Sequence, residues 1–195
     1  MTPHTIYFVR HGETAWNTER RLQGRMDSAL TEAGRGHAAA NADSLREAVP
    51  DVLTLPFVSS PLGRARTSME ILRARLGLAP TGYAVDERLA ELSFGDWEGM
   101  TAREIRAKEP EAWTTYAASR WTVVPPGGES YQQLVDRLRS WLDDLRGDLV
   151  VVAHGGVGRA LRGLNLGVPL NEIPTFDTPR NDRVYRLSNG TEAVL

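Results

Sequence analysis

The sequence predicts an α/β protein, a three-layer α/β/α sandwich around a mostly parallel sheet. Three apolar runs carry that expectation: I-Y-F-V at residues 6–9, F-V at 57–58 and L-V-V-V-A at 149–153. The third in particular has the uninterrupted character of a strand covered by helices on both faces. Each run ends abruptly: at Arg10-His11-Gly12, at Ser59-Ser60-Pro61 and at His154-Gly155-Gly156. Helical apolar spacing follows the second and third, and strands alternating with helices build parallel sheets.

The elements follow in order. The first strand covers residues 6–9, and Gly12 lets the chain turn away. A loop carrying Gln23-Gly24-Arg25 leads to Thr31, an N-cap for a helix over 32–48 with the stripe Ala38, Ala42, Leu45 and Val49, ending before Pro50. A second strand is expected at 56–60. The next helix spans 63–76, with Ala65, Met69, Leu72 and Leu76 inward and Gly77 in the C′ position. Residues 83–87 read as a short strand. Thr101 to Glu104 form a capping box that opens a short helix, and Pro110 closes it. The V-V-P-P-G-G-E stretch at 123–129 is a loop. Ser130 then caps a helix with the stripe Leu134, Leu138, Trp141 and Leu145, stopped by Gly147. After the strand at 149–153 and its helix, strands at 184–187 and 191–194 flank Asn189-Gly190, a type I′ hairpin signature.

Residues 92–130 lie between core elements and contain Trp97, Trp113, Tyr116 and Trp121. This segment is expected to form a partial cap over the carboxyl edge of the sheet. Its rings either face a ligand or pack the segment onto the body. The chain shows no repeat or low-complexity tract, and residues 1–195 are expected to form one domain with a sizeable core.

In open α/β sheets, ligands bind in the crevice beyond the carboxyl ends of the strands. If the three strands are parallel neighbours, Arg10, His11, Arg64 and His154 converge on that edge. The motifs R-H-G-E-T-x-W-N, S-S-P-L-x-R-A-x-x-T, E-x-x-F-G-D-W-E-G and V-A-H-G-G occur here in that order. With them the chain resembles the histidine phosphatase superfamily, the phosphoglycerate-mutase-like fold in its phosphohistidine-forming branch. The likeness runs from about residue 5 to 190. It implies that His11 is the nucleophile, that Glu91 is the proton donor, and that Arg10, Arg64 and His154 grip the phosphoryl group. It further places Asn17, Gln23 and Gly24 near the phosphate and substrate, and the Gly155 N–H at the phosphoryl oxygens. Only the resemblance singles out Glu91 from nearby Asp86, Glu87 and Glu98. Glu13 is expected to organise the site without reacting. Arg66 is expected to point elsewhere, His4 and His37 to be solvated, and Arg120 to be within reach from the cap.

Composition narrows the field. The chain has no cysteine, which excludes disulfides, thiolate zinc sites and a cysteine nucleophile. A net charge of −2 argues against nucleic acid as a partner. Lys108 is the one lysine among 23 basic residues, and so many arginines cannot all serve one pocket. The amino terminus has neither a basic n-region nor an apolar h-region, and no run approaches the ~18 apolar residues of a membrane span. The expectation is a cytoplasmic protein acting on a small phosphorylated metabolite, with no membrane partner and no cofactor. The sequence does not reveal its oligomeric state.

Phosphoryl chemistry needs such groups. Enzymes accelerate phosphate-monoester hydrolysis by up to roughly 10²¹-fold, and general acid–base catalysis supplies only about 10²- to 10⁴-fold of that. The remainder comes from positioning and charge stabilisation, which arginines and a donating histidine can provide. No Asp/His cluster suggests a metal centre, so metal-independent hydrolysis is expected. His11 must be neutral at one ring nitrogen to attack, and nearby arginines favour that form. The resemblance implies that a backbone carbonyl takes its other N–H. A cofactor-dependent phosphoglycerate mutase is the first alternative; the longer chain, extra basic residues and mobile tail of that branch are not seen here. A silent phosphate-binding module is the second, although His11, Arg64, Glu91 and His154 are all in place.

Overall fold

The computed structural model describes residues 4–195. Its strands are β1 (Ile6–Arg10), β2 (Phe57–Ser59), β3 (Ala84–Val85), β4 (Leu149–Ala153), β5 (Val184–Ser188) and β6 (Thr191–Val194). They form one sheet in the order β3-β2-β4-β1-β5-β6. The contacts of β3 with β2, β2 with β4 and β4 with β1 are parallel, and β5 and β6 add an antiparallel edge. In the central pair Arg10 lies opposite Ala153, so both strands end at the same level.

The strand pleat sorts the core into two layers. Ile6, Phe8, Val151 and Ala153 pack with Leu134, Leu138 and Trp141 of α6 (Tyr131–Asp143) and with Val157 and Leu161 of α7 (Gly155–Leu166). On the opposite face, Val9, Val150 and Val152 meet Ala42 and Leu45 of α2 (Glu32–Ala48) and Met69 and Leu72 of α3 (Gly63–Arg75). Burying each such leucine stabilises the fold by about 1.5–3 kcal/mol before entropy is counted. Both faces of β4 are therefore covered, as its continuous apolar run requires.

Local signals act where expected. Thr31 caps α2 through Gly34 N–H, and Ser130 forms a capping box with Gln133 at the start of α6. Asn189 and Gly190 both have positive φ, as a type I′ turn demands. Gly77 turns at φ +81° just past α3.

Several elements differ from expectation. Helix α4 (Ala102–Lys108) stops just before Pro110, as expected, but a further helix, α5 (Pro110–Ala118), was not foreseen and starts at Pro110 itself. Its ring fixes φ at a helical value and its missing N–H would be unpaired in that position anyway. Helix α6 stops at Asp143, before Leu145 and Gly147. The strand expected over 83–87 contracts to two residues, because Asp86 accepts the Arg88 N–H and starts a 3-10 turn. A short helix, α1 (Ala15–Thr18), interrupts the first loop, held by a Thr14–Asn17 capping box.

The aromatics of residues 92–130 form their own small core. Trp97 is 1 % exposed and packs with Ile105, Tyr116 and Trp113. Its indole N–H donates to Glu109 at 3.0 Å. Trp121 joins the main core beside α6 instead.

Candidate active site

The carboxyl ends of β1 and β4 deliver the central pair of groups. The His11 N–H extends the ladder to Ala153 O at 2.9 Å, and His154 follows directly as the N-cap of α7. Their rings lie 5.2 Å apart, centre to centre. Both are buried, at 2 % and 0 % exposure. After β2, the Ser60 N–H donates to Val152 O and the chain enters α3, which brings in Arg64 at its second residue.

Backbone contacts orient His11. Its Nδ1 lies 2.8 Å from the Gly12 carbonyl, an oxygen that can only accept. The proton therefore sits on Nδ1, and Nε2 keeps its lone pair. Asn181 donates from Nδ2 to His11 O at 2.6 Å, and Asn41 donates in turn to Asn181 O. Burial, then Arg64 and Arg10, holds the His11 pKa well below the usual imidazole value. His154 is pushed well down in the same way, by burial first and Arg64 next. Its Nε2 lies 2.6 Å from Ser60 Oγ, which already accepts the Leu62 N–H. The His154 Nδ1 is buried and has no protein partner.

The arginines are held by neutral carbonyls as well as by charge. Arg10 donates from Nη1 to Pro179 O at 3.1 Å. Arg64 donates from Nη2 to Gly24 O and from Nη1 to Met26 O, both at 2.7 Å, and pairs with Asp27 at 3.1 Å. In each case Nε is buried without a protein partner. Buried polar groups are nearly always satisfied, so unpartnered donors around a cavity mark an anion site. Burial lowers the pKa of both guanidiniums without threatening their charge.

These groups surround a cavity of about 230 Å³. Arg10, His11, Asn17, Gln23, Gly24, Arg64, Glu91 and Gly155 all line it, whereas His154 is not among its wall residues. Asn17 spends its side-chain oxygen on the Thr14 N–H. The Glu91 carboxylate accepts the Leu92 N–H at 2.9 Å and the Gly156 N–H at 3.0 Å, which fixes it over the start of α7. Glu13 accepts from Thr31 Oγ1 at 2.9 Å, an organising bond. Arg66 turns toward Tyr83, as expected, and Arg120 lies over the Tyr116 ring, not on the cavity wall.

Sequence reasoning missed several wall residues. Arg159 lines the cavity with Tyr131 and Thr178 and donates to both, the Tyr131 hydroxyl at 2.6 Å. Its signal was available: Arg159 stands one helical turn beyond Gly155, on the same face of α7. Thr178 gave none, because it lies in an irregular loop; nor did Asn181, which lies off this cavity and reaches the site only through its bond to His11 O. Phe94, Leu92 and Leu22 supply the apolar wall, and the expected aromatics Trp97, Trp113, Tyr116 and Trp121 do not line it. His37 was expected to be solvated, but it is half-buried, with Nδ1 unpartnered, in a separate shallow cleft beside Pro179 and Asn181. Among the described residues, no three His, Asp or Glu side chains cluster as a metal centre needs, and no helix is long and apolar enough to cross a membrane.

Residues 6–193 match the histidine phosphatase superfamily (branch 1). The chain belongs to that family. A glucosyl-3-phosphoglycerate phosphatase of Mycolicibacterium vanbaalenii is 33 % identical over 206 residues, spanning 99 % of this chain and 88 % of the relative. A metal-independent phosphoserine phosphatase of Arabidopsis thaliana is 37 % identical, over 80 % of this chain and 66 % of its own. The solved mycobacterial glucosyl-3-phosphoglycerate phosphatase in complex with VO3 superposes with a TM-score of 0.80 at 34 % identity, covering 95 % of this chain and 92 % of that one. The fold is thus shared along nearly the whole length of both chains.

Proposed function

We propose that this histidine phosphatase hydrolyses phosphate monoesters of a small metabolite through a phosphohistidine formed on His11. One observation carries the reading. A neutral, buried imidazole with its Nε2 lone pair free stands beside Arg10 and Arg64, whose Nε atoms, like Nδ1 of His154, are buried with no protein partner. In the first step Nε2 attacks phosphorus and the ester oxygen leaves, taking a proton from Glu91. In the second, Glu91 removes a proton from water as the water oxygen bonds to phosphorus, the P–Nε2 bond breaks, and inorganic phosphate leaves with His11 neutral again. Splitting one hard displacement into two easier ones is the gain of covalent catalysis. Arg10 and Arg64 hold the transferring oxygens through the whole cycle. With its proton on Nδ1, His154 completes the donor set together with the N–H of Gly155. Charge stabilisation of this kind usually supplies the largest part of the rate enhancement.

The named relatives act on phosphorylated small molecules, and one is described as metal-independent, which supports hydrolysis without a metal. Residues 92–130 contribute Leu92 and Phe94 to the cavity wall, in keeping with an insertion that borders the site within a single catalytic domain. A cytoplasmic location and the absence of a nucleic-acid partner go with this reading. The test is turnover of para-nitrophenyl phosphate in EDTA, followed by a panel of phosphorylated metabolites scored by kcat/KM. Turnover undiminished by EDTA is expected. Silence across the panel would leave a phosphate-binding module, and activity that requires 2,3-bisphosphoglycerate priming would point to a mutase.

A further inference from the structure

We infer that Glu98 is a positioning residue, one that fixes the phosphoryl grip of Arg64 without touching the substrate. The inference rests on the reading of Arg64 given above. Glu98 Oε1 accepts the N–H of Arg25 at 3.0 Å, the N–H of Phe94 at 3.0 Å and the Ser93 hydroxyl at 3.1 Å. Its Oε2 accepts the Met26 N–H at 2.9 Å. One carboxylate thus gathers donors from two loops far apart in sequence. Bonds from Leu22 N–H to Met100 O and from Gly99 N–H to Leu22 O close the same seam.

The pinned loop is the one that holds Arg64. Gly24 and Met26 offer their carbonyls to its two Nη atoms, and Asp27 pairs with it directly. A guanidinium anchored on backbone carbonyls sits only as firmly as that backbone. Gly24 shows how closely the parts meet: at φ +52°, a Cβ there would come within 2.0 Å of Glu98 Oε1. Glu98 does not line the cavity. Removing its carboxylate would free the 22–26 loop and let the Arg64 fork drift. Misplacement by about 1 Å can cost on the order of 100-fold in rate.

A double-mutant cycle separates this role from ordinary destabilisation. Glu98→Ala should lower kcat/KM for para-nitrophenyl phosphate on the order of 100-fold when Arg64 is present. In an Arg64→Ala background, the same change should cost no more than about threefold, because nothing is left to misplace. Glu98→Gln, which keeps an acceptor oxygen, should lie between wild type and Glu98→Ala. It also serves as the first arm of the cycle should the alanine variant fail to fold by circular dichroism. Equal losses in both backgrounds would overturn the inference. Undiminished turnover in Arg64→Ala alone would instead overturn the role given to Arg64 itself.

Discussion

In the proposed cycle Glu91 serves two opposite proton transfers. Its carboxylate is held by the N–H groups of Leu92 and Gly156, at the mouth of α7 and on the cavity wall. Those bonds fix its position and leave lone pairs to meet a leaving oxygen or a water. Glu91→Gln keeps the size and one of the two backbone bonds but cannot deliver a proton. Its kcat/KM for an alkyl phosphate should fall by about 10²- to 10⁴-fold, the usual worth of general acid catalysis. For para-nitrophenyl phosphate the loss in the bond-breaking step should be far smaller, since that leaving group departs without protonation. Equal losses for the two substrates would remove the leaving-group role. At this scale sequence reasoning reached Arg10, Arg64 and Glu91 but not Arg159. It could not reach the tautomer of His11, which depends on a carbonyl 2.8 Å away, or Asn181, which meets His11 across 170 positions of chain.

Among the elements, the turn after β1 has the least slack. Gly12 passes so close to α2 that a Cβ there would lie 2.0 Å from Gly34 O, and a Cβ on Gly34 would lie 2.0 Å from Glu13 O. The two glycines let the catalytic turn rest directly on the first turn of the helix. The Gly12 N–H is then taken by Ser68 Oγ of α3 at 2.9 Å. Gly12→Ala must push two backbones apart, an overpacking cost of about 1–3 kcal/mol. Denaturant unfolding should show that loss, together with reduced turnover, whereas Gly36→Ala, where a Cβ meets nothing within 4 Å, should show neither. An unchanged midpoint for Gly12→Ala would contradict the contact. The long helices and strands were legible from period and capping residues, because those signals are local. Pro110 closed α4 as expected, but α5 beyond it was missed, because proline marks both the end of one helix and the start of the next.

For the whole molecule, the feature with the widest reach is a pair of buried imidazoles in a positive environment. Both have pKa values well below that of an exposed histidine. Above about pH 6.5 the folded and unfolded chains alike keep them neutral, and they add no pH dependence. Below it, the unfolded chain takes up protons that the folded site refuses, so stability falls as pH drops. Each imidazole contributes a slope of at most about 1.4 kcal/mol per pH unit in that window. Unfolding free energies measured between pH 7 and 5 in phosphate-free buffer should show this decline, and His154→Gln should reduce its slope. A slope unchanged by that substitution would contradict the burial of a neutral His154. The convergence of His11, Arg64 and His154 was legible before any coordinates, since three strand ends with like punctuation imply a shared edge. Most of the cavity wall was not: Phe94, Tyr131 and Thr178 come from three separate segments that only packing brings together.

The covalent intermediate is the most direct point of test. The protein is mixed with a radiolabelled phosphate ester, quenched in base within one turnover, and digested to locate the label. A phosphoryl group on His11, stable in base, lost in acid and absent from His11→Ala, is the expected result. Label on any other side chain, or full turnover by His11→Ala, would contradict a mechanism built on that imidazole.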